Sequence, residues 1–231
     1  MRSYDWLTTD QINTIFSEEI FARGGTVHDA FDDGAALFAR SILPQLAEIL
    51  PGDRVQGGVA IRASEQEIFV HPYTFRLVCR NGAISAHATQ TRNIKIGEFT
   101  DPVHVEGALR EAVQLCCAPE AFSNAAGEMR SAADVQIDML LTLVSVLSRL
   151  PAELGSSIIP ELIGHVIDTN PRDSRYNLMN VVTATARDTP DPETKWRLEE
   201  LGGAIAAGQI LTTQPDMAAH RRVCAPAVVA A

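Results

Sequence analysis

Tyr73–Arg92 reads YTFRLVCRNGAISAHATQTR. Its Asn81-Gly82 pair signals a hairpin, because both central residues of a two-residue type I′ loop need positive φ, which these residues tolerate best. With that loop, Arg80 faces Ala83, Cys79 faces Ile84, Arg76 faces His87 and Phe75 faces Ala88. A side-chain period of two then lines Phe75, Leu77, Cys79, Ile84, Ala86 and Ala88 along a core face. Thr74, Arg76, Arg80, Ser85, His87 and Thr89 fall on the other, which offers positive charge and hydrogen-bond donors.

Upstream, Val55, Gly57, Val59 and Ile61 alternate with Gln56, Gly58, Ala60 and Arg62, as in a strand with one buried face. Gly57-Gly58 marks a bulge or a place where a backbone or ligand comes close. Glu67 to Val70 begin another strand, which Pro72 is expected to interrupt because it cannot donate to a ladder. The N-terminal part reads as two helices. Thr8 or Thr9 caps the first, which ends at Gly24-Gly25; the second spans Ala35 to Leu50 after an Asp32-Asp33-Gly34 turn, with Pro44 dividing it.

Beyond Thr100 the pattern is helical. Val105–Cys117 carries an apolar stripe, Ala121–Met129 a weaker one, and Ser131 with Asp134 imitates a capping box before a very apolar Val135–Leu150 helix that should be central. A helix follows over Ser156–Ile167, Asn170-Pro171-Arg172-Asp173 is a turn, Ser174 caps a helix to Arg187, and Asp191-Pro192 opens one to Ala207, before Gly208. The expected fold is α+β: a small antiparallel sheet with an Asn-Gly hairpin, packed against a mostly helical bundle in one domain over 1–211. Its strand-rich part is 54–92 and its helical part 104–208; residues 212–231 read as a loose tail.

The formal net charge of −10 argues against a surface that binds nucleic acid all over and against attachment to anionic membrane. With neither a signal-peptide pattern nor an apolar run of membrane-spanning length, the expected location is cytoplasmic. Cys79, Cys116, Cys117 and Cys224 show no metal-ligand spacing and are expected to be reduced. Phosphate-loop, dinucleotide, zincin and hydrolase motifs are all missing from the sequence, so it supports no cofactor or metal. Trp196 reads as a core anchor, and Cys79, facing the core in this register, as packing.

Chemistry therefore concentrates on the hairpin, where Arg76, Arg80 and His87, joined by Arg62, suit a phosphate, a carboxylate or an acidic protein patch. A second stripe lies on the Ser174-capped helix. Tyr176, Asn180, Thr183 and Arg187 share one face there, and such a polar stripe must be hydrogen-bonded or wet. It is expected to pack near the hairpin, with Asn180 reaching backbone or the Asn81 turn.

FRLVCRNG at Phe75–Gly82 and YNLMNVVTATARD at Tyr176–Asp188 resemble, in content and order, two segments of the phage/plasmid-like protein family called domain of unknown function 932. Arg76, Cys79 and Asn81 match the first segment, and Asn180 and Thr183 the second. Ala184 and Thr185 stand where that pattern has an acidic-aromatic pair. The resemblance implies a setting among mobile elements and supplies no catalytic residue.

The functional expectation is a non-catalytic binding or accessory protein. Its binding residues are Arg62, Arg76, Arg80, Asn81, His87, Asn180 and Thr183, and its partner is an acidic protein surface or single-stranded nucleic acid. One alternative is an enzyme whose site joins the hairpin turn to the 174–187 helix. The other is a structural homo-oligomer subunit using the apolar 135–150 helix.

Overall fold

The computed structural model describes residues 7–85, 91–148, 152–169 and 174–210. Helix α1 (Thr9–Phe21) starts where the sequence places it. The Thr8 hydroxyl accepts from the Gln11 amide while the Gln11 side chain accepts from the Thr8 amide, a reciprocal capping box.

The predicted second helix, 35–50, is instead two strands, and a further strand precedes it. β1 (Thr26–Asp32) and β2 (Ala36–Ile42) form a hairpin around Asp33, whose carboxylate accepts from the Ala35 and Ala36 amides, and β3 (Leu46–Leu50) follows. β4 (Asp53–Ser64), β5 (Glu67–Arg76), β6 (Asn81–Ile84) and β7 (Arg92–Lys95) complete an antiparallel sheet ordered β1-β2-β4-β5-β6. β2 and β3 share one edge of β4, and β6 and β7 share the outer edge of β5. The α+β class stands, but the strands occupy 26–95 rather than 54–92.

Pro72 does not interrupt β5. Its carbonyl accepts from the Ser85 amide at 2.8 Å. In an antiparallel strand the N–H of the same residue would point to that edge as well. Pairing with β7 stops at Val70 and pairing with β6 begins at Tyr73, so the missing donor falls in the gap.

The helices are α2 (Pro102–Cys116), α3 (Pro119–Asp134), α4 (Met139–Leu147), α5 (Ala152–Thr169), α6 (Arg175–Asp188) and α7 (Pro192–Ala206). Ser174 caps α6 and Asp191 caps α7, each side chain accepting from the amide three residues on. The Ser131/Asp134 capping box does not form, because α3 runs through both residues. The chain is then extended through a bridge between Gln136 and Ser174, and Asp138 caps a shorter α4. That helix is not central: Leu141 and Val144 are 54% and 64% exposed. The predicted turn at 170–173, residues 149 and 150 of the predicted apolar helix and the predicted tail at 212–231 lie outside the described residues.

The sheet is the middle layer. Ile12, Phe16 and Ile20 of α1 and Val105, Leu109 and Val113 of α2 pack on Val59, Ile61, Ile68 and Val70. On the opposite face Trp196 of α7, 1% exposed, meets Phe38, Ala60, Tyr73, Phe75 and Ile84. A third cluster joins α3 to α7 with Val55 and Ala83. The sheet curls round α7. β1 and β5 are three strand spacings apart in the ladder, about 14 Å on a flat sheet, yet the His28 and Phe75 rings lie 4.6 Å apart. Among the described residues no helix is long and apolar enough to cross a membrane.

His71, on the α7 face of β5, lies edge-on to Trp196 with ring centroids 5.6 Å apart. Burial holds its imidazole down, to about 4. The unfolded chain therefore takes up a proton below its ordinary value near 6.5 while the folded chain does not. This contribution is complete above that value and is lost as pH falls towards 4, by about 2–3 kcal/mol. We expect the native protein to lose that much more stability than a His71→Phe variant in urea titrations between neutral pH and pH 4.

Candidate anion-binding site

The hairpin of β5 and β6 uses a different loop from the one its Asn-Gly pair announces. Arg76 pairs with Asn81 and Phe75 with Gly82, so Leu77–Arg80 form the loop. The Arg80 amide donates to the Arg76 carbonyl at 2.9 Å, and Arg80 itself takes the left-handed conformation at φ 54°. Asn81 and Gly82 are held in the strand by other demands. A Cβ on Gly82 would overlap the Tyr73 hydroxyl, and the Asn81 side chain donates to the Thr183 hydroxyl at 2.6 Å and the Asn180 carbonyl at 3.4 Å.

This register dissolves the predicted basic face. Arg76 lies among Thr74, Asn81 and Ala83, where it forms a two-pronged pair with Asp53: Nε to Oδ1 at 2.8 Å and Nη2 to Oδ2 at 2.7 Å. The Tyr176 hydroxyl donates to the same carboxylate at 2.9 Å. Arg62 is on the α7 face, paired with Glu193 at 3.1 Å and lying over the Phe69 ring. Arg80 is in the loop, and His87 lies outside the described residues. Cys79 is also a loop residue, half-buried, and accepts from Arg76 Nη1 at 3.0 Å. Cys116 and Cys117 are buried, and burial pushes their thiols up to about 12 and about 11, as for inert packing.

The α6 stripe does reach the hairpin. Thr183, Asn180 and Asn81 converge with Arg76 on a small, partly open space that Met129 and Met179 also line. Arg187, one further turn along, donates from Nη1 to the Cys79 carbonyl at 2.8 Å and so ties the loop to α6.

On the other side of Asn81 the curl of the sheet creates a cleft that the sequence did not disclose. His28 and Asp29 approach from β1, Arg40 from β2, Tyr73 from β5, Arg80 from the loop, and Lys195 and Glu199 from α7. With its opening to solvent included, it holds about 240 Å³ of unfilled space. Only about 20 Å³ of it is space that the centre of a water-sized group can occupy, so the cleft suits one compact group.

Arg40 is the centre of its electrostatics. It is 2% exposed, its Nε donates to Glu199 at 2.6 Å, and its Nη1 reaches Asp29 at 3.4 Å. Among the described residues its Nη2 has no acceptor. A buried donor in that condition costs more than an ordinary hydrogen bond contributes. Lys195 donates to the same Asp29 oxygen, Oδ2, at 2.5 Å. Burial alone would raise the Asp29 carboxyl, but the Lys195 bond and the Lys195 and Arg40 charges keep it low. The balance reverses at Glu199, also 2% exposed, where burial outweighs Arg40 and pushes the carboxyl up to about 7. Burial lowers the His28 imidazole and raises the Tyr73 phenol well above its ordinary value.

Of the residues singled out in the sequence, Arg80, Asn81 and Arg187 therefore line the cleft, while Arg62, Arg76, Asn180 and Thr183 serve neighbouring contacts. Arg40, Lys195 and Glu199 were missed; the available signal was a single cation inside the apolar run ALFARSIL. Among the described residues no three His, Cys, Asp or Glu side chains gather as a metal site. No protein-family model matches the chain, and no curated protein or solved structure matches it either.

Proposed function

We propose that this is a non-catalytic binding protein that seats one anionic group of its partner in the cleft between β1, the β5–β6 loop and α7. The observation that carries the reading is Arg40, a buried guanidinium with one donor unmet, in a cleft that Arg80, Arg187 and Lys195 also line. Buried, hydrogen-bonded cations of this kind recognise carboxylates and phosphates. The cleft has room for an end group and not for a run of stacked bases, which favours a singly presented anion over single-stranded nucleic acid. A mobile-element setting, as the resemblance to the phage/plasmid-like family implies, agrees with an accessory role of this kind.

The test is a calorimetric titration with sulfate at about 0.02 and 0.2 M ionic strength, where screening differs severalfold in range. Arg80→Asn, which keeps the left-handed backbone conformation, is expected to leave stability within about 0.5 kcal/mol and to weaken binding severalfold, most at low salt. Undiminished binding by this variant, or no binding by the native chain, would remove the cleft as an anion seat. An enzyme remains the second reading, because the junction of the hairpin with α6 is polar and partly unfilled. It requires Cys79 to react with a mild alkylating agent and the adduct to depend on Asn180.

A further inference from the structure

The charges around the cleft pair off almost completely. Arg40 faces Glu199, Lys195 faces Asp29, and Arg187 is held by Asp188 at 2.6 Å. Among the described residues Arg80 makes no ion pair, so the cleft as folded has one positive charge to spare. A monoanion is matched by it, and a dianion is not.

The donors nevertheless suit a dianion of tetrahedral shape. Arg40 comes from β2, Tyr73 from β5, Lys195 from α7 and Arg80 from the loop, so they approach from different sides of the same small space. A flat carboxylate with two oxygens leaves some of them unused, whereas a tetrahedral oxyanion has an acceptor for each. Its second negative charge would stand close to Glu199, which is as buried as Arg40 and competes for the same guanidinium.

Resting on the proposed anion seat, we infer that the cleft takes a compact tetrahedral dianion, a sulfate or phosphate-type end group, together with one proton that lands on Glu199. Protonation removes the competing charge from Arg40 Nε, and the carboxyl can still accept that hydrogen bond through its carbonyl oxygen. The other groups facing Glu199 do not take the proton: Asp29 on β1 is kept ionised by Lys195, Tyr73 on β5 is already neutral, and Arg40 is already charged. His28 on β1 is the one competitor: the Asp29 charge favours its charged form, but burial together with Lys195, Arg80 and Arg40 outweighs it. Burial has already brought the Glu199 carboxyl up to about 7, so little more is needed to protonate it near neutrality.

Sulfate is the probe, since it does not titrate across the range of interest. Its affinity for the native chain is expected to be flat below pH 7 and to fall about tenfold per pH unit above it, the slope of one linked proton. Calorimetry at pH 8 in two buffers of different ionisation enthalpy should report uptake of about one proton per sulfate bound. Glu199→Gln, which keeps the shape and the acceptor for Arg40, should bind at pH 8 as the native chain does at pH 6 and show no slope; His28→Asn should keep the slope. Sulfate binding that is independent of pH, or a slope that vanishes in His28→Asn and survives in Glu199→Gln, overturns the proton linkage but not the anion seat. Absence of sulfate binding at pH 6 overturns both.

Discussion

Asp53→Ala should lower the unfolding free energy by about 3–5 kcal/mol, the cost of leaving one member of a buried ion pair without its partner. Asp53 and Arg76 retain only 10% and 18% side-chain exposure, and the carboxylate accepts from two nitrogens of Arg76 and from the Tyr176 hydroxyl. Removal strands a guanidinium and a phenol at the joint between β4, β5 and α6. Asp53→Asn separates the contributions: it can accept one bond from Arg76 and keep the Tyr176 contact, and should lose less than the alanine variant. Urea unfolding at neutral pH measures both. A loss under about 1 kcal/mol for Asp53→Ala, the level of an exposed pair, would show the joint to be open to water.

The same joint shows how legibility divided. Arg76, Tyr176, Asn180 and Thr183 were visible because a strand's period and a helix's period each sort side chains locally, and the structure brings their two stripes together. Asp53 was not, because an Asp after Pro-Gly reads equally well as a helix stop. Helix starts at Thr8, Ser174 and Asp191 were legible for the same local reason: a cap is settled within four residues. β2 was not legible. It is covered by helices on both faces, so Leu37 to Ser41 are all buried and the alternation that marks a half-buried strand is missing. A continuous apolar run then fits a helix just as well. The hairpin erred in the opposite direction, since Asn81 and Gly82 carry a turn signal but are committed to Thr183 and Tyr73, and the loop moved upstream at the cost of a positive φ at Arg80. The cleft lay furthest from view because its central bond joins residues 159 positions apart.

Gly58→Ala should be the other severe substitution, costing about 3 kcal/mol or more, at or beyond the upper end of ordinary overpacking. The Gly57-Gly58 pair suggested a close backbone approach, and Gly58 has one. A Cβ there would overlap the Ser41 carbonyl oxygen. This carbonyl cannot swing aside cheaply. β2 leaves the β4 ladder after Arg40, the Ser41 hydroxyl is bound to both the amide and the carbonyl of Val59, and the Leu43 amide donates to Gly57 at 2.7 Å. Gly57 supplies the internal control. Its Cβ would meet the Gln45 amide oxygen at 2.9 Å and the Phe122 ring at 3.0 Å, both side-chain atoms able to shift, so Gly57→Ala should cost about 1 kcal/mol. The ordering is the test, read from urea midpoints: a Gly57→Ala variant less stable than Gly58→Ala would mean that β2 yields at Ser41 more easily than α3 yields at Phe122. The consequence reaches the cleft, because Arg40 immediately precedes Ser41. Movement of Ser41 to admit a methyl group displaces the buried guanidinium, so Gly58→Ala should weaken sulfate binding as well as folding, whereas Gly57→Ala should leave the affinity near that of the native chain.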